Sequence, residues 1–296
     1  NQMVLGNLRD RLGRILDLER LVARVGLDKA HGKDLVAVRN SLVAALDLEA
    51  LLPTEVLASE SIAGTAEDRT AVSELSDLLG RGLLDAPSVL LTEGNIIREG
   101  FDEKLDELKG LLSNSKAYLD SYLEEERSAS GIASLKIKYN KVLGYFFEVT
   151  KANAAKVPGH FIRRQSLVNA ERFSTERLSE LESRLNTARE QIVDLERKLF
   201  LQLRDAVKAE IPRLLAVCDA IASVDCFHAF AWAATRNGYV RPRVEDTDDL
   251  EIRGGRHPVV EAHMAPGSFV PNSLALSSGG TNFALITGPN MAGKST

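Results

Sequence analysis

Two stretches of this 296-residue chain carry apolar residues at alternating spacings of three and four, with a segment of different character between them. The first aligns Leu105, Leu108, Leu112, Ser115, Leu119 and Tyr122; the second aligns Leu178, Leu181, Leu185, Ala188, Ile192, Leu195 and Leu199. A 3-4 rhythm keeps one seam turned toward a partner helix over many turns. Either stripe alone also fits the core face of a bundle helix. Two of them flanking residues 130–173 predict one coiled-coil-like pair, in which one arm goes out and the other comes back. At 1.5 Å per residue, an outgoing arm over 101–126 is about 39 Å long.

The segment at the tip has a period of two. In 134–139, Leu135, Ile137 and Tyr139 alternate with Lys136 and Lys138, which reads as a half-buried strand with a basic outer face. Residues 140–144 form a turn, and 144–150, rich in aromatic and β-branched residues, form the returning strand. Pro158 and Gly159 make another turn before an extended third segment over 161–167. A small antiparallel sheet at the end of two arms is the expectation. Net charge is −5, which argues against a chain that coats nucleic acid over its whole surface. Yet 132–173 holds Lys136, Lys138, Lys141, Lys151, Lys156, Arg163, Arg164 and Arg172 against only Glu148 and Glu171. A basic island on an acidic body points to one anion-binding surface.

The first hundred residues read as mainly helical: a stripe over 7–25, a second over 33–52 stopping at Pro53, and a third over 71–84 broken near Gly80 and Gly82. Residues 92–95 make a turn. After the returning arm, Pro212 interrupts the pattern, and 214–234 is an apolar helix containing Trp232. A new region with turns and short strands opens at 240–244. Hydrophobic content is 44% and charged content 27%, an ordinary globular balance for roughly two domains. No uninterrupted apolar run reaches membrane-spanning length, so no span and no membrane partner are expected. No signal peptide opens the chain, and its start reads as that of an interior piece of a longer protein. Cys218 and Cys226 read as buried free thiols, and the five histidines form no ligand cluster.

The last nine residues, 288–296, fit the phosphate-loop pattern G-x-x-x-x-G-K-[ST]. Gly288 and Gly293 let backbone N–H groups turn toward phosphate oxygens, Lys294 reaches the β/γ-phosphates, and the Ser295 hydroxyl suits Mg²⁺. The apolar run 282–286 upstream reads as the buried parallel strand that such a loop follows.

Residues 287–296, T-G-P-N-M-A-G-K-S-T, closely resemble the Walker A loop of the MutS family of DNA mismatch-repair proteins; generic phosphate loops lack the Pro289-Asn290-Met291 filling. Three further stretches resemble that family in the same order: 17–24, then 144–149 followed by 163–173, and 255–261. The likeness runs through essentially the whole chain. It implies a mainly α fold with a helical core and long antiparallel lever helices, a small antiparallel β clamp at the lever tip, and the start of an α/β ABC-type ATPase domain. The implied divisions are 1–127, 128–174, 175–238 and 239–296. Arg164, Asn169 and Arg172 fall on the family's DNA-backbone positions, with Lys136, Lys138 and Lys141 as weaker candidates; Val168 departs from the lysine some relatives carry. ATP or ADP with Mg²⁺ would be held by Gly288, Pro289, Asn290, Met291, Ala292, Gly293, Lys294, Ser295 and Thr296, with Ser295 on the metal and Phe269 against the adenine. His257 reads as structural or close to the nucleotide, and no residue is assigned as catalytic.

The resemblance further implies mismatched or looped duplex DNA as partner, a homodimer in the full-length protein, a downstream partner such as MutL, and a cytoplasmic, nucleoid-associated setting. The parent would be a DNA-dependent ATPase. The chain itself, without Walker B and signature loop, is expected not to hydrolyse ATP. Two other readings stand beside this one. A MutS-like protein acting on recombination intermediates shares these motifs. An SMC-type ATPase or a scaffold also joins an ATPase head to paired helices, but there the phosphate loop precedes the outgoing arm.

Overall fold

A computed structural model describes residues 2–52, 62, 64–140 and 142–288. The chain divides into two compact units, Asn1–Gly238 and Tyr239–Thr296.

In the first unit, α1 (Gln2–Leu12), α2 (Leu18–Gly26), α3 (Gly32–Glu49) and α4 (Ala66–Gly82) build a helical body. The single stripe expected over 7–25 is two helices. The chain leaves α1 at Gly13, and the Asp17 carboxylate accepts from Arg20 N at 3.0 Å to start α2 afresh. The third helix begins earlier than expected, because Thr65 and Asp68 form a reciprocal capping box. It also runs unbroken through Gly80. Gly82 ends it where Leu203 and Phe101 press too close for a Cβ. Pro53, expected to stop α3, lies outside the described residues.

The lever helices follow: α5 (Glu103–Ser130) goes out and α6 (Glu176–Ala209) returns. They are about 42 and about 51 Å long at 1.5 Å per residue. They pack antiparallel, as the two seams require, and every seam position is buried or half-buried. Asp102 caps α5 and Thr175 caps α6. At the near end, the fully buried Glu196 accepts from Ile96 N at 3.0 Å and lies 2.6 Å from Lys109 Nζ. One carboxylate therefore joins both arms and the loop ahead of them. At the far end, Tyr122 and Thr175 share a hydroxyl–hydroxyl hydrogen bond of 2.8 Å.

Between the arms sits a four-stranded antiparallel sheet in the order β1-β2-β4-β3, from β1 (Lys136–Asn140), β2 (Gly144–Thr150), β3 (Ile162–Ser166) and β4 (Ala170–Ser174). Sequence reading foresaw three strands. The fourth is short and polar, and its only signal is its pairing with β2 and β3. The sheet has a core of its own: Phe147, Val149, Phe161 and Phe173 pack with Ile132, Leu135 and, from the arms, Tyr122 and Leu178. A separate and larger core fills the body.

Helix α7 (Ile211–Asn237) starts at Pro212, which suits a first helical turn, so the proline opens this helix. By length and composition alone α7 is apolar enough to cross a membrane, although Asp219 and Asp225 interrupt its apolar run. Its Leu214, Val217 and Val224 are buried in the body core. Cys218 is half-buried, and burial pushes its thiol up to about 11. Cys226 is exposed, contrary to expectation, because it lies off the buried stripe of α7.

The second unit pairs β5 (Leu250–Gly255) with β6 (Asn272–Leu276) and holds one short helix, α8 (Pro258–Ala262). No strand forms at 240–244. The strand expected over 282–286 is also absent, and Phe283, Leu285 and Ile286 are exposed. A buried parallel strand needs ladder partners. Among the described residues, β5 and β6 satisfy only each other.

Two consequences can be measured. Arg213 from α7 donates to Asp68 at 2.7 Å, and with Thr65 it draws the Asp68 carboxyl down to about 2. A depressed carboxylate contributes stability that is present above its unfolded value near ~4 and is lost as pH falls through 2. Asp68→Asn should therefore lower stability at neutral pH and flatten the stability–pH curve between about 4 and 2, read by denaturant titration at each pH. Gly144 holds φ +70° at the start of β2, and a Cβ there would overlap the Glu182 carboxylate of α6, which accepts from Tyr145 N at 3.3 Å. Gly144→Ala should cost about 1–3 kcal/mol. A Glu182→Ala background should recover only the overlap part, leaving the backbone strain.

Candidate nucleic-acid interface

Directly opposed residues in an antiparallel sheet share a face. The register places Lys136 opposite Glu148 and Lys138 opposite Phe146 across β1–β2, Glu148 opposite Arg172 across β2–β4, and Arg172 opposite Gln165 across β4–β3. These side chains form the outer face. Ile137, Phe147, Val149 and Phe173 form the inner face, over the arms.

The outer face is partly neutralised from within. Lys138 Nζ donates to Glu148 Oε1 at 2.7 Å. Arg172 lies with its guanidinium carbon 4.6 Å from the centre of the Phe146 ring, donates to Gln165 Oε1 at 2.9 Å, and approaches Glu148 Oε2 at 3.9 Å. So Arg172, predicted to touch DNA, is bound into the sheet on three sides. Arg163 makes a two-pronged contact with Glu171, its Nε 3.0 Å from Oε2.

Other cations are free. Arg164 and Lys136 are exposed, and neither side chain has an ion-pair or hydrogen-bond partner among the described residues. Asn169 sits exposed in the β3–β4 turn, where its carbonyl accepts from Lys151 N at 3.3 Å. Lys141 lies outside the described residues. Sequence reasoning counted Lys151 and Lys156 in the basic window but gave them no role. They bracket a short 3-10 helix, Lys151–Lys156, and both are exposed and unpaired among the described residues. The same reasoning counted Glu148 and Glu171 but not their positions in the ladder, which decide which cations remain available. Exposed cations on and beside a sheet suit phosphate oxygens, which position a protein without conveying sequence.

Of the predicted nucleotide residues, only Gly288 and Phe269 lie among the described ones. Gly288 is exposed with open space at its Cβ position. Phe269 is half-buried just ahead of β6 and belongs to no strand. Pro289, Asn290, Met291, Ala292, Gly293, Lys294, Ser295 and Thr296 lie outside. His257 Nδ1 accepts from Val260 N at 3.3 Å and caps α8.

Comparison with known proteins gives consistent matches. Residues 100–191, which span the outgoing arm, the whole sheet and nearly half of the returning arm, match the family model described as MutS family domain IV. The chain is 46% identical over 302 residues to the DNA mismatch repair protein MutS of Treponema pallidum, covering 99% of this chain and 33% of that protein. It is 45% identical over 304 residues to the protein of that name from Nitratidesulfovibrio vulgaris, covering 98% and 34%. It is 40% identical over 299 residues to that from Methanosarcina mazei, covering 100% and 33%. The chain thus spans about one third of the length of these relatives.

Proposed function

Because this chain belongs to the MutS family, we propose that it is part of a DNA mismatch repair protein and serves as its backbone-gripping clamp and lever. The observation that carries this reading is the four-stranded sheet, mounted between the ends of two antiparallel helices, with the side chains of Arg164 and Lys136 on it, and of Lys151 and Lys156 in the adjoining 3-10 helix, exposed and without partners among the described residues. Replication errors arise in any sequence context, so a protein that handles them needs a grip indifferent to sequence. Contacts to phosphate provide that indifference.

The loop 288–296 extends the proposal to nucleotide. Its donor set, two glycines, a lysine and a hydroxyl pair, suits a triphosphate with Mg²⁺. Lys294 would face the phosphates and Ser295 the metal, while Phe269 offers an aromatic side chain for the base. Nucleotide bound there would supply a charge-dependent change of state, which two stiff arms could carry to the sheet. In the complete protein, a second copy of the chain and a MutL-type partner complete the reading, in the cytoplasm beside the nucleoid.

Binding of the chain to a duplex with one mismatch, followed by fluorescence anisotropy across a salt series, tests the grip. Lys136→Ala combined with Arg164→Ala should flatten the slope of log affinity against log salt by roughly two units. The effect should be equal on matched duplexes of unrelated sequence. An unchanged slope would remove the sheet from the interface.

A further inference from the structure

The edge strand β3 does not follow the alternation of its neighbours. It pairs Arg163 with Phe173 and then Gln165 with Arg172, so the ladder shifts between 163 and 165 and Arg164 faces no residue of β4. This is a β-bulge, in which one extra residue is left out of the ladder and re-aimed. The shift has a definite effect on side chains. In an unbulged strand, residues 163 and 165 would share one face. Here Arg163 lies on the face of Phe173 and reaches Glu171, while Gln165 lies on the opposite face and accepts from Arg172. Both contacts exist together only because Arg164 absorbs the extra step.

Glu171 is the member of this set with the most to lose. Its side chain is only 8% exposed, and it sits in β4 directly opposite the buried Val149. A carboxylate so enclosed needs its cation, and Arg163 supplies one through two donors. The pull of Glu171 on Arg163 therefore favours the bulged register over the regular one. The product is Arg164, exposed, and of the three arginines in 132–173 the one without a partner among the described residues.

Resting on the reading of the sheet as a DNA grip, we propose that Glu171 is a positioning residue for DNA binding: by holding Arg163 it fixes the bulge that presents Arg164 to the phosphate backbone. An acidic side chain inside a DNA-binding sheet would thus strengthen the grip, against the simple expectation that it weakens it. Arg163 in turn serves the sheet and does not contact DNA.

The test compares Arg164→Ala in three backgrounds by salt-dependent anisotropy on a mismatched duplex, with thermal melts to verify folding. In the otherwise unchanged chain, Arg164→Ala should flatten the slope by about one unit. In a Glu171→Gln background it should flatten it by less than about half a unit, because Arg164 is no longer held in place. Arg163→Lys, which keeps the charge but loses the two-pronged contact, should give the same reduced effect; it carries the comparison if Glu171→Gln does not fold. A full unit lost in every background overturns the positioning role and leaves the grip standing. A steeper slope in Glu171→Gln, with Arg164→Ala still worth a full unit, also overturns it, because Glu171 would then merely mask Arg163. No effect of Arg164→Ala in the unchanged chain would sink the grip at Arg164 and the positioning role with it.

Discussion

A single four-stranded sheet with one apolar face must bury that face against another layer. The sheet in this chain meets that constraint by taking Tyr122 from the end of the outgoing arm and Leu178 from the start of the returning one into the same core as Phe147 and Phe173. The Tyr122 and Thr175 hydroxyls close the joint between the arms, and Thr175 also caps the returning helix. The tip and the arms are therefore one mechanical object. The sheet cannot swivel on its mounting without emptying its own core. The direction in which its basic face points follows from the packing of two helices.

Charge on the sheet is governed by pairing rather than by number. Eight cations and two carboxylates suggest a strongly basic surface. The ladder places Glu148 between Lys138 and Arg172, and Glu171 beside Arg163. Two acids thereby engage three cations, while Lys136, Lys151, Lys156 and Arg164 are exposed. Such an arrangement keeps like charges from crowding across adjacent strands, which would destabilise the sheet, and still leaves a positive surface for phosphate.

Much of this was legible in the sequence where the signal is local. The 3-4 rhythm from Leu105 to Tyr122 and from Leu178 to Leu199 marked both arms, because helix periodicity is written into the residues that form it. Alternation about Lys136 and Lys138 marked β1, and the aromatic run 144–150 marked β2 to the residue. What failed depends on partners distant in sequence. Strand β4 has no pattern of its own and exists through its neighbours. The contacts of Arg172 with Phe146 and Gln165 come from other strands and have no local signal. Residues 282–286 are apolar enough for a strand, but composition cannot provide a ladder. Gly13 and Asp17 were a visible break in the first stripe, outweighed by the apolar period on either side.

The two ends of the arm pair are tied differently from its middle. Near the body, Lys109 and Glu196 join the helices. Near the tip, Arg177 reaches across to Glu125 at 2.7 Å and to the Tyr118 hydroxyl at 2.8 Å. Between these ties, around Ser115, Leu181 and Ala188, no polar cross-link joins the helices among the described residues, and apolar contact alone holds them. Such a beam resists sliding of one layer past the other because its ends are pinned, while its mid-span can bow as a unit. A push delivered at the base would then arrive at the far end as curvature shared by both helices, with no change in their relative register.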